Sequence, residues 1–385
     1  MSVAMRGQAK SHRQLNSIAL SQSAMKSPLD LSRRLHRLRL AMQDAKLDAL
    51  LISTRPNCLY LSHLPSSHSL ILVLQDKAFF FTDFRYIEIA ERSLSHLTVV
   101  RISQNGMSEI GEIIQRHRIH RLGFEGRWEF QSVQKLQACL NSTCELVESG
   151  RLLRRLRAVK DLQEIRAIEQ AQRINERILR SAVRHIERGI TEQALQRYIR
   201  TQMIALGVEE AFETIVAFGP TSSLPHARPG RRRIENSGLV LIDMGVKKAF
   251  YHSDMTRTLG WRIVTPEIRN IYEIVLEAQS AAFEKIRPGI SAREVDAAAR
   301  QIIAAHGYGE CFGHGLGHGV GLEIHEAPTL NPNSEDVLEE RMVVTVEPGI
   351  YLPGKGGVRI EDLVIVTKNG PRNLTRFPKS FVTLS

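Results

Sequence analysis

Apolar residues recur at Leu35, Leu38, Leu40 and Met42 within residues 31–45, the spacing of an amphipathic helix. Short apolar runs rich in Leu, Ile, Val and Phe follow at Ala49–Ile52, Ser69–Leu74, Ala78–Thr82 and residues 97–102, and each predicts a strand. Residues 107–117 return to a helical period and Arg121–Phe124 to a strand. As far as Gly150 this is the pattern of a small α/β domain with no catalytic constellation of its own. Two segments, Thr82-Asp83-Phe84-Arg85-Tyr86 and Leu122-Gly123-Phe124-Glu125, mix charge with aromatics. A strand-end turn with a local ion pair and a substrate contact are equal readings of them.

After a basic run holding Arg151, Arg154, Arg155, Arg157 and Lys160, the pair Asp161 and Glu164 predicts a capping box. It opens a long helix with apolar positions at Leu162, Ile165, Ile168, Ala171, Ile174 and Ile178. From here the chain repeats. Gly189-Ile190-Thr191 precedes a helix ending near Gly207 and then Glu210-Ala211-Phe212; Gly289-Ile290-Ser291 precedes a helix ending near Gly307 and then Glu310-Cys311-Phe312. Thr191 and Ser291 stand where helix N-caps belong, and Ser291 with Glu294 predicts a second capping box. Each unit has its own preceding helix, the second opening at Thr265-Pro266-Glu267. Each is followed by an apolar strand ending in a carboxylate, any residue and Gly: Asp243-Met244-Gly245 and Glu347-Pro348-Gly349. A second carboxylate follows in each half, Asp254 and Glu361. The repeat predicts two α/β halves related by a pseudo-twofold axis, with antiparallel strands face to face and equivalent strand ends converging on the axis.

Residues 313–326 interleave His314, His318 and His325 with Glu323, Glu326 and glycine. The i, i+4 histidines resemble a helical zinc motif, but Gly315, Gly317, Gly319 and Gly321 oppose a helix at about 1 kcal/mol each. Extended backbone closely approached by another group is the expectation, with metal binding or proton transfer as its chemistry.

Composition narrows the class. A hydrophobic share of 43% and a charged share of 24% are those of a soluble globular protein, and no apolar run approaches the ~18 residues of a membrane span. Cys58, Cys139, Cys144 and Cys311 form no Cys-x-x-Cys pair, which points to free thiols in a reducing, cytoplasmic setting. Residues 1–29 contain no Asp or Glu and read as a basic disordered tail, with an organellar transit peptide as the alternative. The net charge of +11 permits an acidic partner. Its excess is concentrated in the run around Arg151 to Lys160 and in Arg231-Arg232-Arg233, without aromatics for base stacking, so solvated faces are the reading.

Convergence of Asp243, Asp254, Glu347 and Glu361 would place four carboxylates in one pocket, where they cannot all ionise uncompensated. Two divalent cations with a bridging hydroxide supply the missing charge, and oxygen-rich coordination with one imidazole suits Mn²⁺, Co²⁺ or Fe²⁺ more than a closed zinc site. Hydrolysis is the reaction such a pair serves.

The segments Leu241-Ile242-Asp243-Met244-Gly245, His252-Ser253-Asp254-Met255-Thr256-Arg257-Thr258, residues 313–326, Thr345-Val346-Glu347-Pro348-Gly349-Ile350-Tyr351 and Gly357-Val358-Arg359-Ile360-Glu361-Asp362 together resemble the pita-bread metallopeptidases, in the Xaa-Pro aminopeptidase and prolidase branch. That resemblance implies a smaller creatinase-type accessory domain over residues 31–154 and a pita-bread catalytic domain over 155–385, in a homodimer. It implies Asp243, Asp254, His318, Glu347 and Glu361 as ligands of two metal ions, manganese foremost with cobalt, iron or zinc as alternatives. Asp254 and Glu361 would bridge the ions, and Glu347 would also shuttle a proton. His226 and His325 would orient the scissile amide and stabilise its oxyanion, and Arg359 would hold a ligand carboxylate. His314 is open between packing and substrate contact. The implied activity is removal of an N-terminal residue before proline from short peptides, with dipeptide hydrolysis as the alternative. A non-catalytic nucleic-acid-binding relative and a metal-free creatine-hydrolysing one are disfavoured, since both would have lost ligands and all five positions are filled here.

Overall fold

The computed structural model describes residues 30–103, 106–140, 143–235 and 237–385. The predicted tail thus lies outside the described residues except for Asp30, whose side chain caps the first helix by accepting from Arg33 N at 2.9 Å. The chain forms two compact units, one ending at Leu156 and one spanning Arg157–Ser385. No helix among the described residues is long and apolar enough to cross a membrane.

The first unit runs α1 (Leu31–Asp44), β1 (Ala49–Ile52), α2 (Arg55–Ser62), β2 (Ser69–Leu74), β3 (Ala78–Thr82), α3 (Ile87–Ser93), β4 (Thr98–Arg101), α4 (Met107–Arg116), β5 (Arg121–Phe124), α5 (Phe130–Cys139) and β6 (Glu145–Glu148), with α6 (Gly150–Ala158) next in the chain. Its mixed sheet has the order β4-β3-β2-β1-β5-β6, antiparallel from β1 to β3 and parallel elsewhere. Apolar periodicity did not predict α2, α3, α5 or β6. The helices among them are 7 to 10 residues long, and a helix so short completes too few turns to display a period. The two charged-aromatic segments resolve differently. Asp83 pairs with Arg85 in a strand-end turn. Glu125, 2% exposed, instead accepts from Thr54 N at 2.7 Å and Ser53 N at 2.5 Å, so it caps the start of α2 from a distant strand.

The second unit runs α7 (Leu162–Arg184), α8 (Glu192–Ala205), β7 (Glu209–Glu210), β8 (Ile215–Phe218), β9 (Ser237–Met244), β10 (Val246–Lys248), β11 (Tyr251–His252), β12 (Met255–Arg262), α9 (Pro266–Lys285), α10 (Ala292–Ala305), β13 (Gly317–Gly319), β14 (Glu326–Leu330), β15 (Val343–Val346), β16 (Gly349–Leu352), β17 (Gly356–Arg359), β18 (Asp362–Thr367), β19 (Gly370–Asn373) and β20 (Thr383–Leu384). Its two main sheets are β20-β12-β9-β8 and β14-β13-β15-β18-β19. One apolar core joins α7 and α8 to β8, β9 and β12. The other joins α9 and α10 to β15, β17 and β18. Each half is therefore a helix pair laid on a sheet that is antiparallel except for the β12–β20 pair.

The repeat extends to backbone detail. Gly189 and Gly289 share φ near +85° (85° and 86°), a left-handed conformation open to glycine. Gly189 N donates to Ile234 O at 2.7 Å, and Gly289 N donates to Leu338 O at 2.8 Å. The Asp161–Glu164 capping box is present. The Ser291–Glu294 box is not: Thr191 accepts from Ala194 N at 3.1 Å, whereas the Ser291 side chain makes no cap hydrogen bond. The solvated-face reading of the basic run also needs correction. Arg151, Arg154 and Arg155 are exposed, but Arg157 and Lys160 are 5% and 1% exposed and pair with carboxylates.

Candidate active site

Strand register determines where the carboxylates stand. Asp243, next to last in β9, lies opposite Thr256 of β12, and Asp254 immediately precedes that strand. In the other half Val346 of β15 lies opposite Asp362 of β18, so Glu347 and Glu361 leave their strands side by side. The turn joining β10 and β11 falls at Ala249 and Phe250, both at positive φ (46° and 74°). The second hairpin, β16–β17, turns through residues 353–355.

Asp243, Asp254, Glu347 and Glu361 line one cleft of about 530 Å³ with His226, His314, His318, His325 and Arg359. Ligand-type atoms of Asp254, His318 and Glu361 lie within 4.8 Å of one another. His318 Nε2 is 3.4 Å from Glu347 Oε1 and 3.6 Å from Asp254 Oδ2. Its Nδ1 is 3.1 Å from Gly319 O, which places the ring proton on Nδ1 and leaves the Nε2 lone pair facing the carboxylates.

The electrostatics record a charge deficit. Burial, then neighbouring carboxylates, push Asp254 and Glu361 well above the usual carboxylate range. Burial also raises Asp243, against the opposing pull of Arg359. Burial pushes Glu347 up too, but the His318 imidazole outweighs it and brings the carboxyl down to about 2. Asp243 Oδ1 and Asp254 Oδ1 are buried without a hydrogen-bond partner among the described residues. Two such carboxylate oxygens in one cleft are groups that a bound cation would satisfy.

Arg359 does more than hold one ligand. Its guanidinium donates to Asp243 Oδ2 at 2.6 Å, and its Nε donates at 3.1 Å to Thr256 Oγ1, which in turn donates to Glu361 Oε2 at 2.7 Å. One arginine thereby spans a carboxylate from each half. Tyr351, to which sequence reasoning assigned no role, accepts from Arg359 NH1 at 2.9 Å and stands 2.8 Å from His314 Nε2. Thr345, also missed, donates to Glu347 Oε1 at 3.2 Å and accepts from His318 N at 3.0 Å. The sole signal for these residues was their place inside motifs already singled out. His314 belongs to both of its readings: it lines the cleft, and its ring packs edge-on to Phe312 at 5.0 Å.

The glycine-rich stretch is mostly bends and irregular backbone, with Gly317–Gly319 as strand and Glu326 opening β14. Its glycines make room for the protein's own chain rather than for substrate: a Cβ on Gly317 would overlap Thr345 O.

Residues 166–368 match the model of metallopeptidase family M24, and residues 34–159 match the creatinase/prolidase N-terminal domain. The chain belongs to metallopeptidase family M24. It is 38% identical to a Xaa-Pro dipeptidase of Pyrococcus horikoshii over 89% of this chain and 96% of that one. Among solved structures, a Xaa-Pro dipeptidase from Bacillus anthracis superposes with a TM-score of 0.88 at 35% identity, covering 92% of this chain and 100% of the other. An X-Pro aminopeptidase from Thermotoga maritima gives 0.81 at 32% identity, with 88% and 98% covered. The fold is accordingly a creatinase-type domain followed in the chain by the pita-bread domain of the M24 family, and the protein is a metallopeptidase that uses divalent metal ions. The open oxygens of Asp243 and Asp254 and the Nε2-facing His318 fit that requirement.

Proposed function

We propose that the protein is a Xaa-Pro dipeptidase, hydrolysing the bond between an N-terminal residue and proline in a dipeptide. Removal of the residue before proline from longer peptides is the second reading, supported by the likeness to the Thermotoga maritima aminopeptidase. The observation that carries the proposal is the gathering of Asp243, Asp254, His318, Glu347 and Glu361 in one cleft with His226 and His325. Dipeptides are favoured by the likeness to the named dipeptidases and by Arg228, which lines the same cleft and makes no ion pair with a described residue. A free C-terminal carboxylate one residue from the scissile bond suits that guanidinium.

Asp243, Asp254, His318, Glu347 and Glu361 would hold two divalent ions, manganese foremost, because carboxylates with one imidazole suit it. When bound, these ions let the four carboxylates ionise together and supply Lewis-acid activation of water and carbonyl. The remaining work falls to side chains. Glu347, ionised across the neutral range, can accept a proton at Oε1 and return it to the leaving nitrogen. That return matters because a proline amide nitrogen carries no proton of its own. His325, though solvent-accessible, is held below its usual pKa by partial desolvation in the cleft and by His318, so it stands neutral at pH 7 and offers an N–H to the developing oxyanion, with His226 in the same cleft. Arg359 orients Asp243 directly and Glu361 through Thr256.

The test is incubation of Mn²⁺- or Co²⁺-loaded protein with a Xaa-Pro dipeptide, its C-terminal amide and a proline-containing tripeptide, with products separated by chromatography. The dipeptide should be cleaved at least about tenfold faster than its amide, the loss of ~1.4 kcal/mol of carboxylate recognition. The R228M variant should narrow that gap. Preference for the tripeptide would favour the aminopeptidase, and cleavage of none would overturn both readings.

A further inference from the structure

A buried charge cluster stands behind His325. Glu326, the first residue of β14, is salt-bridged by Lys160 Nζ at 2.7 Å through Oε1 and by Arg157 NH2 through Oε2. Arg157 NH2 also reaches Glu323 Oε2 at 2.8 Å, and Glu323 N donates to Glu326 Oε2 at 3.3 Å. The side chains of Arg157 and Glu326 are each 6% exposed and that of Lys160 is 1% exposed. Burial pushes the Glu326 carboxyl up, but Lys160 and Arg157 outweigh it and hold it below the usual range.

The cations are themselves fixed. Val159 bridges to Met342, and Lys160 N donates to Arg341 O at 3.1 Å, just ahead of β15, the strand that leads into Glu347. At the other side of the cluster the chain from Gly321 to Glu326 closes on the carboxylate. Gly321 N donates to Glu323 O at 3.0 Å, His252 N donates to Gly321 O at 2.9 Å, and a Cβ on Gly321 would overlap the Glu326 carboxylate. His325 itself is exposed, contacts the His318 ring edge-on at 4.3 Å, and makes no hydrogen bond to a described residue. With no such hydrogen bond, its imidazole is aimed by its backbone and by the edge-on contact with His318.

We infer that Glu326 is a positioning residue for His325, and that Arg157 and Lys160, through the Glu326 carboxylate, fasten the turn that presents the imidazole to the cleft. The inference rests on His325 acting as proposed above. Buried ion pairs are weak sources of stability, because apolar replacements of similar volume often serve as well. What an apolar replacement could not do here is tie Glu323 N, the Gly321 turn and two cations to one point. That tie holds the residue next in chain to His325.

Four proteins test it: wild type, E326Q, H325A and the double variant, each compared for metal content, kcat and KM on a Xaa-Pro dipeptide. E326Q should keep its metal and lose kcat by about tenfold or more, since small misplacements of a reacting group are costly in rate, while KM stays within about threefold of wild type. In the H325A background the same substitution should lower kcat by less than about twofold, because the two residues act through one group. Equal losses in both backgrounds, loss of metal from E326Q, or an unchanged kcat would each overturn the inference. Full activity in H325A would remove the reading of His325 beneath it, and no hydrolysis by wild type would remove the proposed function first. Should E326Q not fold, the charge-balanced pair K160M/E326Q, which leaves Arg157 with Glu323, is read by the same criteria.

Discussion

His318 and His325 place their rings 4.3 Å apart at 81°, yet their surroundings assign them different work. His318 is tied at Nδ1 to Gly319 O and turns Nε2 toward Asp254 and Glu347. His325 is exposed, neutral and unattached to any described hydrogen-bond partner. H318A should abolish metal occupancy, whereas H325A should retain the metal and lower kcat by roughly 10²–10³, the usual cost of one oxyanion donor. Metal analysis beside steady-state kinetics separates the two, and equal loss of metal in both variants would contradict the division. At this scale the ligand-type residues were legible, because carboxylate, glycine and apolar strand recur in order. Thr256, Thr345 and Tyr351 were not, since an isolated hydroxyl carries no periodic signal and acquires its role from what folds against it.

The two helix pairs show how far a repeat in sequence carries into structure. Thr191 and Ser291 occupy the same place before α8 and α10, and both sit in isolated bridges, to Arg233 and Val337 respectively. Only Thr191 uses its hydroxyl as a cap. Both helix starts also have a backbone bond, Glu192 N donating to Arg232 O at 3.1 Å and Ala292 N to Asp336 O at 2.9 Å. T191A should therefore cost about 1 kcal/mol, a fall of roughly 2–4 °C in thermal midpoint for a unit of this size. S291A should leave the midpoint within about 1 °C, its hydroxyl contributing no cap bond to lose. Differential scanning of both variants under one condition decides it; equal shifts would mean that the caps are equivalent after all. The matched pattern predicted both helices correctly, but it could not tell that only the first adds a side-chain cap to its backbone bond.

For the whole molecule, metal and proton compete for the same carboxyls. Asp254 and Glu361 have folded-state pKa values raised above their ordinary 3.8 and 4.5. Such groups support the metal-free fold fully below the ordinary range and lose that support as pH rises through the raised values. Metal binding needs them deprotonated and so strengthens over the same interval. The difference in thermal midpoint between metal-loaded and chelator-treated protein should widen as pH rises from the ordinary carboxylate range toward neutrality. A gap that stays constant or shrinks would show that these carboxyls do not govern the linkage. D254N should flatten the dependence, because it removes one of the titrating groups.

Local order in the sequence was sufficient for the halves, their helix starts, the strand ends and the four carboxylates that gather in the cleft, because each rests on interactions within a few residues or on a repeat a hundred residues long. Fold and family followed from those motifs. Tertiary structure alone decided that Arg359 joins Asp243 to Glu361 through Thr256, and that Glu125 caps a distant helix. It also decided that Arg157 and Lys160, two cations in a run that looked like solvated surface, lie buried against Glu326 beside His325. The physical reason is common to all three: burial and pairing depend on which distant segment arrives, and a charge in sequence is the same symbol whether water or a carboxylate meets it.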